Sequence, residues 1–138
     1  MPDSIVLDAS VAAKLYFAED LSSEAEAAVR AAGSIIAPEL LLIELASVAS
    51  KRARRGTSPI GPARSAVYSV GGLLDEVVSL VDLAPRAFEL AVEHGFTAYE
   101  ASYLALAEAR GLPVLTADLR LVSRARDVGL DGLVFQLA

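Results

Sequence analysis

Four acidic residues, Asp8, Glu44, Glu100 and Asp118, hold the most chemical promise in this sequence, because each stands beside or within an apolar stretch. A lone carboxylate is costly in such surroundings. Gathered in one polar pocket, four such groups would raise one another's pKa values unless a cation compensated them. Oxygen donors of this kind select hard divalent ions, Mg²⁺ or Mn²⁺.

Each acid also has a purely structural reading. Asp8 follows the apolar run Ser4 to Leu7 and precedes a helical pattern, where an aspartate can accept hydrogen bonds from free backbone N–H groups. Asp118 stands in the same relation to Val114–Thr116 and the helix after it. Glu100 completes Thr97-Ala98-Tyr99-Glu100, a Thr-x-x-Glu capping box. Glu44 lies in mid-helix within Leu40-Leu41-Leu42-Ile43-Glu44-Leu45-Ala46, where no cap is available. It faces either a narrow solvated stripe, hinted at by Glu39 and Lys51, or a polar pocket shared with the other acids.

Composition narrows the chemistry. The chain has no cysteine and one histidine, His94, which excludes disulfide frameworks, thiolate zinc sites, cysteine nucleophiles and imidazole-rich metal centres. His94 precedes Gly95 and reads as a partner for a helix C-terminus. The formal net charge of −6 disfavours gripping nucleic acid with the whole surface, so any such contact must be local. Lys51, Arg52, Arg54 and Arg55 suit either a helix C-terminus or such a local contact. Tyr99 and Tyr103, four apart, read as core residues rather than stacking platforms.

The elements that must position the acids alternate. Strands are expected at Ser4–Leu7, Ser34–Ala37, Val77–Leu83, Val114–Thr116 and near Leu133–Phe135. Helices are expected at Ala9–Ala18, Ser22–Ala32, Glu39 to about Arg55, Ala63–Asp75, Pro85–His94 and Ala98–Arg110, with a last one leading to Gly129. Connections too long for hairpins imply an α/β fold with a mainly parallel sheet covered on both faces. With 138 residues, 54% of them hydrophobic and 22% charged, one domain with a single core is expected throughout. Neither a basic leader nor a long uninterrupted apolar run is present, which reads as a soluble, cytoplasmic protein. Ligands in open parallel sheets sit at the carboxyl ends of strands near a reversal of strand order, and Asp8 and Asp118 both fall at such ends.

Four stretches, Ile5-Val6-Leu7-Asp8-Ala9-Ser10-Val11, Pro38-Glu39-Leu40-Leu41-Leu42-Ile43-Glu44, Thr97 to Ala107 and Leu115-Thr116-Ala117-Asp118-Leu119-Arg120-Leu121, resemble in order and spacing the signature segments of VapC-type PIN-domain toxins. The resemblance spans nearly the whole chain. It implies a three-layer α/β/α domain, endoribonuclease activity dependent on Mg²⁺ or Mn²⁺, a homodimer and a cognate antitoxin that blocks the site. By motif position Asp8, Glu44, Glu100 and Asp118 correspond to the acidic quartet, with Ser10 and Thr116 as small polar residues beside it. Family members often carry aspartate where this chain has Glu100, whose extra methylene can replace direct coordination by coordination through water.

The implied chemistry is hydrolysis of an RNA phosphodiester by water activated at a cation, with no side-chain nucleophile. A PIN-like nuclease of RNA maturation, or a silent PIN-like interaction module whose acids only cap helices, are the alternatives within the same fold. Phosphoryl transfer through an aspartyl phosphate fits poorly. Asp8-Ala9-Ser10 lacks the second aspartate of haloacid-dehalogenase enzymes, and the paired acids of receiver domains are missing after the first strand.

Overall fold

Strand β1 (Ser4–Leu7) carries Ile5, Val6 and Leu7, apolar on both faces and all fully buried, as only a strand covered from two sides permits. It is the middle strand of the computed structural model, which describes residues 2–138. Around it the chain runs α1 (Ala9–Tyr16), α2 (Ser22–Ala31), β2 (Ser34–Pro38), α3 (Leu40–Arg55), α4 (Ile60–Leu73), β3 (Glu76–Val78), α5 (Leu80–His94), α6 (Ala98–Arg110), β4 (Val114–Thr116), α7 (Leu119–Asp127), a 3-10 turn (Asp131–Leu133) and β5 (Val134–Gln136).

The five strands are ordered β3-β2-β1-β4-β5 and every pairing is parallel. The chain grows outward from β1 to one side through β2 and β3, then returns to place β4 and β5 on the other. Strand order therefore reverses between β1 and β4, where Val6 pairs with Val114 and Leu7 with Leu115. Such a reversal opens a crevice beyond the carboxyl ends of the two strands. Asp8 and Asp118 flank it.

Helices cover the sheet to complete a three-layer α/β/α sandwich. Helix α6 crosses β2, β1 and β4, and its seven successive residues Ala101–Ala107 are all buried. Three of the seven are alanines, and Ser102 is nearly as small, so the helix can lie close to the strands. Gly111, in the left-handed region at φ 64°, ends α6 and releases the chain into β4. Helix α1 packs on α2, α3 and α4, and one hydrophobic cluster joins residues from Ile5 to Leu137.

One expected strand is shorter than its apolar run. Only Glu76–Val78 is strand, and Leu80–Leu83 open α5 instead. Ser79 caps the helix by accepting from Val81 N, Asp82 adds an acidic first turn, and the 83% exposure of Val81 shows that the apolar run Val77 to Leu83 is not buried throughout. Pro85 thus sits inside the helix rather than at its start. Helix α4 likewise begins earlier than expected, after Pro59, and continues through Gly71-Gly72 because Ala63, Ala66 and Val70 anchor its other face in the core.

Candidate active site

Asp8 leaves β1 at the N-cap position of α1, but its carboxylate makes no cap there. Instead Oδ2 accepts two hydroxyl hydrogen bonds, from Ser10 Oγ at 2.6 Å and from Thr116 Oγ1 at 2.7 Å. The two hydroxyls are themselves fixed. Ser10 Oγ accepts from Ala117 N at 3.0 Å, and fully buried Thr116 accepts from Asp118 N at 3.0 Å. This lattice ties the end of β1 to the end of β4 across the crevice and holds one aspartate orientation.

Asp118 caps α7, its Oδ1 accepting from Arg120 N at 3.0 Å and Leu121 N at 3.3 Å. Its carboxylate lines the same cleft as Asp8, close enough for its charge to act on Asp8. Glu44 is half-buried on α3 and turned away from open solvent: its Oε1 accepts from Tyr103 Oη at 2.7 Å. The pocket, not the solvated stripe, is where α3 puts it.

Electrostatics set Asp8 and Glu44 apart. Asp8 reaches the surface only at the cleft floor, and loss of water there pushes its carboxyl above the usual range, with the Asp118 charge adding to the rise and the Ser10 and Thr116 hydroxyls opposing it. Glu44 is raised as well, first by burial and then by the charge of Asp8, against the pull of the Tyr103 hydroxyl. Tyr103, nearly fully buried by α6, is driven up by burial and by these two carboxylates, so it stays a neutral donor. No lysine or arginine side chain bonds Asp8, Glu44 or Asp118 among the described residues.

Glu100 lines the same cleft, of about 310 Å³, with Asp8, Glu44, Tyr103 and Asp118. Its carboxylate is differently engaged. Oε1 accepts from Thr97 N and Thr97 Oγ1, completing the capping box of α6, and Arg124 of α7 donates to both oxygens at 3.0 and 3.2 Å. Arg124 also donates to Gly95 O and lies over the Phe96 ring. Four acids thus share one cleft, yet among the described residues no three acidic or histidine side chains close into a cage able to hold a metal unaided.

The arrangement suits a hydrated hard cation. Mg²⁺ keeps several waters and uses one or two protein carboxylates plus substrate oxygens, so it needs no closed cage. What the site supplies is a fixed, oxygen-only donor set whose raised carboxyls lack a positive partner. Three contributors escaped the sequence reading: Tyr103, Arg124 and Lys14, which lines the groove beyond Glu44. Lys14 carried a signal, since it stands four residues after Ser10 on the same face of α1. His94 lies against Glu93 and Phe96 and is not among the residues lining the acid cleft.

Residues 5–127 match the PIN domain family. A protein named Ribonuclease VapC3 from Pyrobaculum aerophilum is 36% identical over 122 residues, covering 87% of this chain and 93% of its own. Ribonuclease VapC9 from Mycobacterium tuberculosis is 33% identical over 117 residues, covering 85% of this chain and 87% of its own. Among solved structures, one from Pyrobaculum aerophilum superposes with a TM-score of 0.71 at 22% identity over 97% of this chain and 83% of that one. A chain of a toxin–antitoxin complex from Klebsiella pneumoniae gives 0.68 at 19% identity over 95% and 96%. These two share the fold.

Proposed function

Since the chain belongs to the PIN domain family, we propose that it is an endoribonuclease, dependent on Mg²⁺ or Mn²⁺, acting as the toxin of a toxin–antitoxin pair. The names of its ribonuclease relatives support this reading. The observation that carries it is the meeting of Asp8, Glu44 and Asp118 in one cleft at the β1–β4 reversal, with no positive partner for any of the three among the described residues and with the Asp8 and Glu44 carboxyls pushed upward by burial. When bound, a divalent cation supplies Lewis acidity, activating water and stabilising charge on the phosphate and leaving oxygen.

The chain's own residues do the rest. Asp8 and Asp118 would hold the cation, with Glu44 beside them on the cleft wall. Ser10 and Thr116 keep the Asp8 carboxylate in one orientation, as hydrogen-bonded outer groups do for ligating carboxylates. Glu100, on the Arg124 side of the cleft, orients the attacking water. Val81, Phe88 and Val92 repeat at helical spacing on α5, and with Tyr99 of α6 they expose an apolar face that supports a symmetric homodimer. An antitoxin covering the acid cleft completes the reading.

Cleavage of a panel of single-stranded RNAs, with and without Mn²⁺, tests the proposal. The wild type should cut only with the cation, and a variant with all four acids changed to amides should not cut at all. Metal-independent cleavage, or equal cleavage by the quadruple variant, would reject the assignment.

A further inference from the structure

Glu44 is a shared wall. On one side lies the acid cleft; on the other a hollow of about 500 Å³ lined by Ser10, Lys14, Glu19, Ser47 and Ala117 as well as Glu44 itself. The two adjoin. Ser10 of the hollow donates to Asp8 of the cleft, and Ala117 of the hollow is the chain neighbour of Asp118.

Beyond that wall stand two cations, Lys14 in the hollow and Arg52 beside it. Lys14 Nζ donates to Glu19 Oε1 at 3.2 Å and to Asp20 O at 2.8 Å, while Arg52 bonds the other oxygen of Glu19 and lies over the Phe17 ring at 4.8 Å. Two cations share one carboxylate, so the trio keeps a positive surplus. The Lys14 side chain is only 14% exposed and is held at the groove wall. An ammonium has three donors and two are used here, which leaves one for a ligand. Stability does not explain the arrangement. Arg52 already neutralises Glu19, and a second partly buried cation adds desolvation cost with little return.

Spacing supplies the link to substrate. From Ser10, bonded to Asp8, to Lys14 is about one turn of α1, roughly 6 Å along the helix. Along α3 the same groove edge passes from Glu44 to Ser47 and on toward Arg52. An RNA strand with its scissile phosphate at the acids therefore brings a neighbouring phosphate against Lys14. It is also the local contact that a chain of net charge −6 requires.

Resting on the nuclease reading above, we propose that this hollow is a backbone-phosphate subsite in which Lys14, backed by Glu19 and Arg52, binds the phosphate next to the one cleaved. The test compares wild type, Lys14→Gln and Glu19→Gln, each checked for folding by thermal melting. It measures binding of a labelled single-stranded RNA across a salt series in Mn²⁺, and the ratio of kcat/KM for that RNA over a dinucleoside monophosphate. Lys14→Gln should weaken RNA binding several-fold, flatten the slope of log affinity against log salt by about 0.7, the value for one phosphate contact on a single strand, and lower the kcat/KM ratio. Glu19→Gln should tighten binding, because it enlarges the positive surplus. Its melting midpoint can fall without altering that sign, so a merely structural trio would not reproduce the result. Wild-type affinity and slope in both variants would overturn the subsite. If Lys14→Gln fails to fold, unchanged or weaker binding by Glu19→Gln overturns it alone. A wild type that binds RNA with the expected slope and cuts none would sink the nuclease reading and leave the phosphate subsite standing.

Discussion

Asp8 and Glu100 line one cleft, yet Asp8 meets two hydroxyls where Glu100 meets an arginine and a helix cap. Removing a carboxylate from water is tolerable when a positive group replaces the lost hydration, and Arg124 does this for Glu100. Hydroxyls do it only partly, so Asp8 is pushed upward. The contrast separates an acid whose compensation is built into the fold from one whose compensation must arrive with a ligand. It predicts that substitutions on the two sides of the cleft will differ in kind as well as in size.

The largest expected effect is at Asp8. Asp8→Asn leaves Ser10 and Thr116 with an acceptor of the same size, so the fold should survive, while the ability to hold a cation is lost. Cleavage should fall about a thousandfold or more, the several kcal/mol that a bound metal supplies to charge development, and single-turnover kinetics would measure it. Near-normal cleavage would mean that the hydroxyl-bound acid is structural.

Glu44→Gln comes next. Removing a charge from a cluster that repels itself should hold or raise the stability of the metal-free protein by about 1 kcal/mol. Cleavage should still drop sharply, and the Mn²⁺-induced rise in melting midpoint should shrink. Calorimetry with and without Mn²⁺ separates this from a solvated glutamate, which would change neither.

A smaller effect reports on the same side through pH. Asp8 and Glu44 have folded pKa values above their ordinary values of 3.8 and 4.5, so they bind protons more tightly in the folded state than in the unfolded one. Their stabilising contribution is full below those ordinary values and is lost as pH rises through the raised ones. A bound cation offsets that loss. The Mn²⁺-induced rise in midpoint should accordingly grow as pH is raised above the ordinary carboxylate range. A rise independent of pH would dissociate the cation from these two acids.

How much of this was legible beforehand follows from sequence distance. Asp8 and Asp118 could be read because each sits at the end of an apolar run, and the alternation of runs fixes a parallel sheet whose strand ends face one way. Ser10 and Thr116, two residues from each, came with them. Glu44 drew notice as a charge without a local excuse. Its partner Tyr103 lies 59 residues away, and Arg124 lies 24 from Glu100; local patterns do not encode such pairings. Val77 to Leu83 misled because a short, mostly apolar run fits either a strand or the first turn of a helix, and the Ser79 cap decides for the helix from Leu80.

The smallest effect should be that of Glu100→Gln, and it bears most directly on the contrast between the two acids. Glutamine can serve in a capping box, so Thr97 N keeps its acceptor and α6 keeps its start. What is lost is the charge facing Arg124, in a pair whose side chains are 39% and 21% exposed, where screening holds the contribution to about 1 kcal/mol or less. Because Arg124 already neutralises this acid, the cation's grip on the protein should barely change. The Mn²⁺-induced rise in midpoint should stay within error of wild type, and cleavage should fall by about tenfold, the lower end for a group that orients another without holding the cation. Losses matching those of Asp8→Asn in both assays would show instead that Glu100 gives up Arg124 and turns inward when the cation binds. The difference between the two acids would then belong to the metal-free state alone.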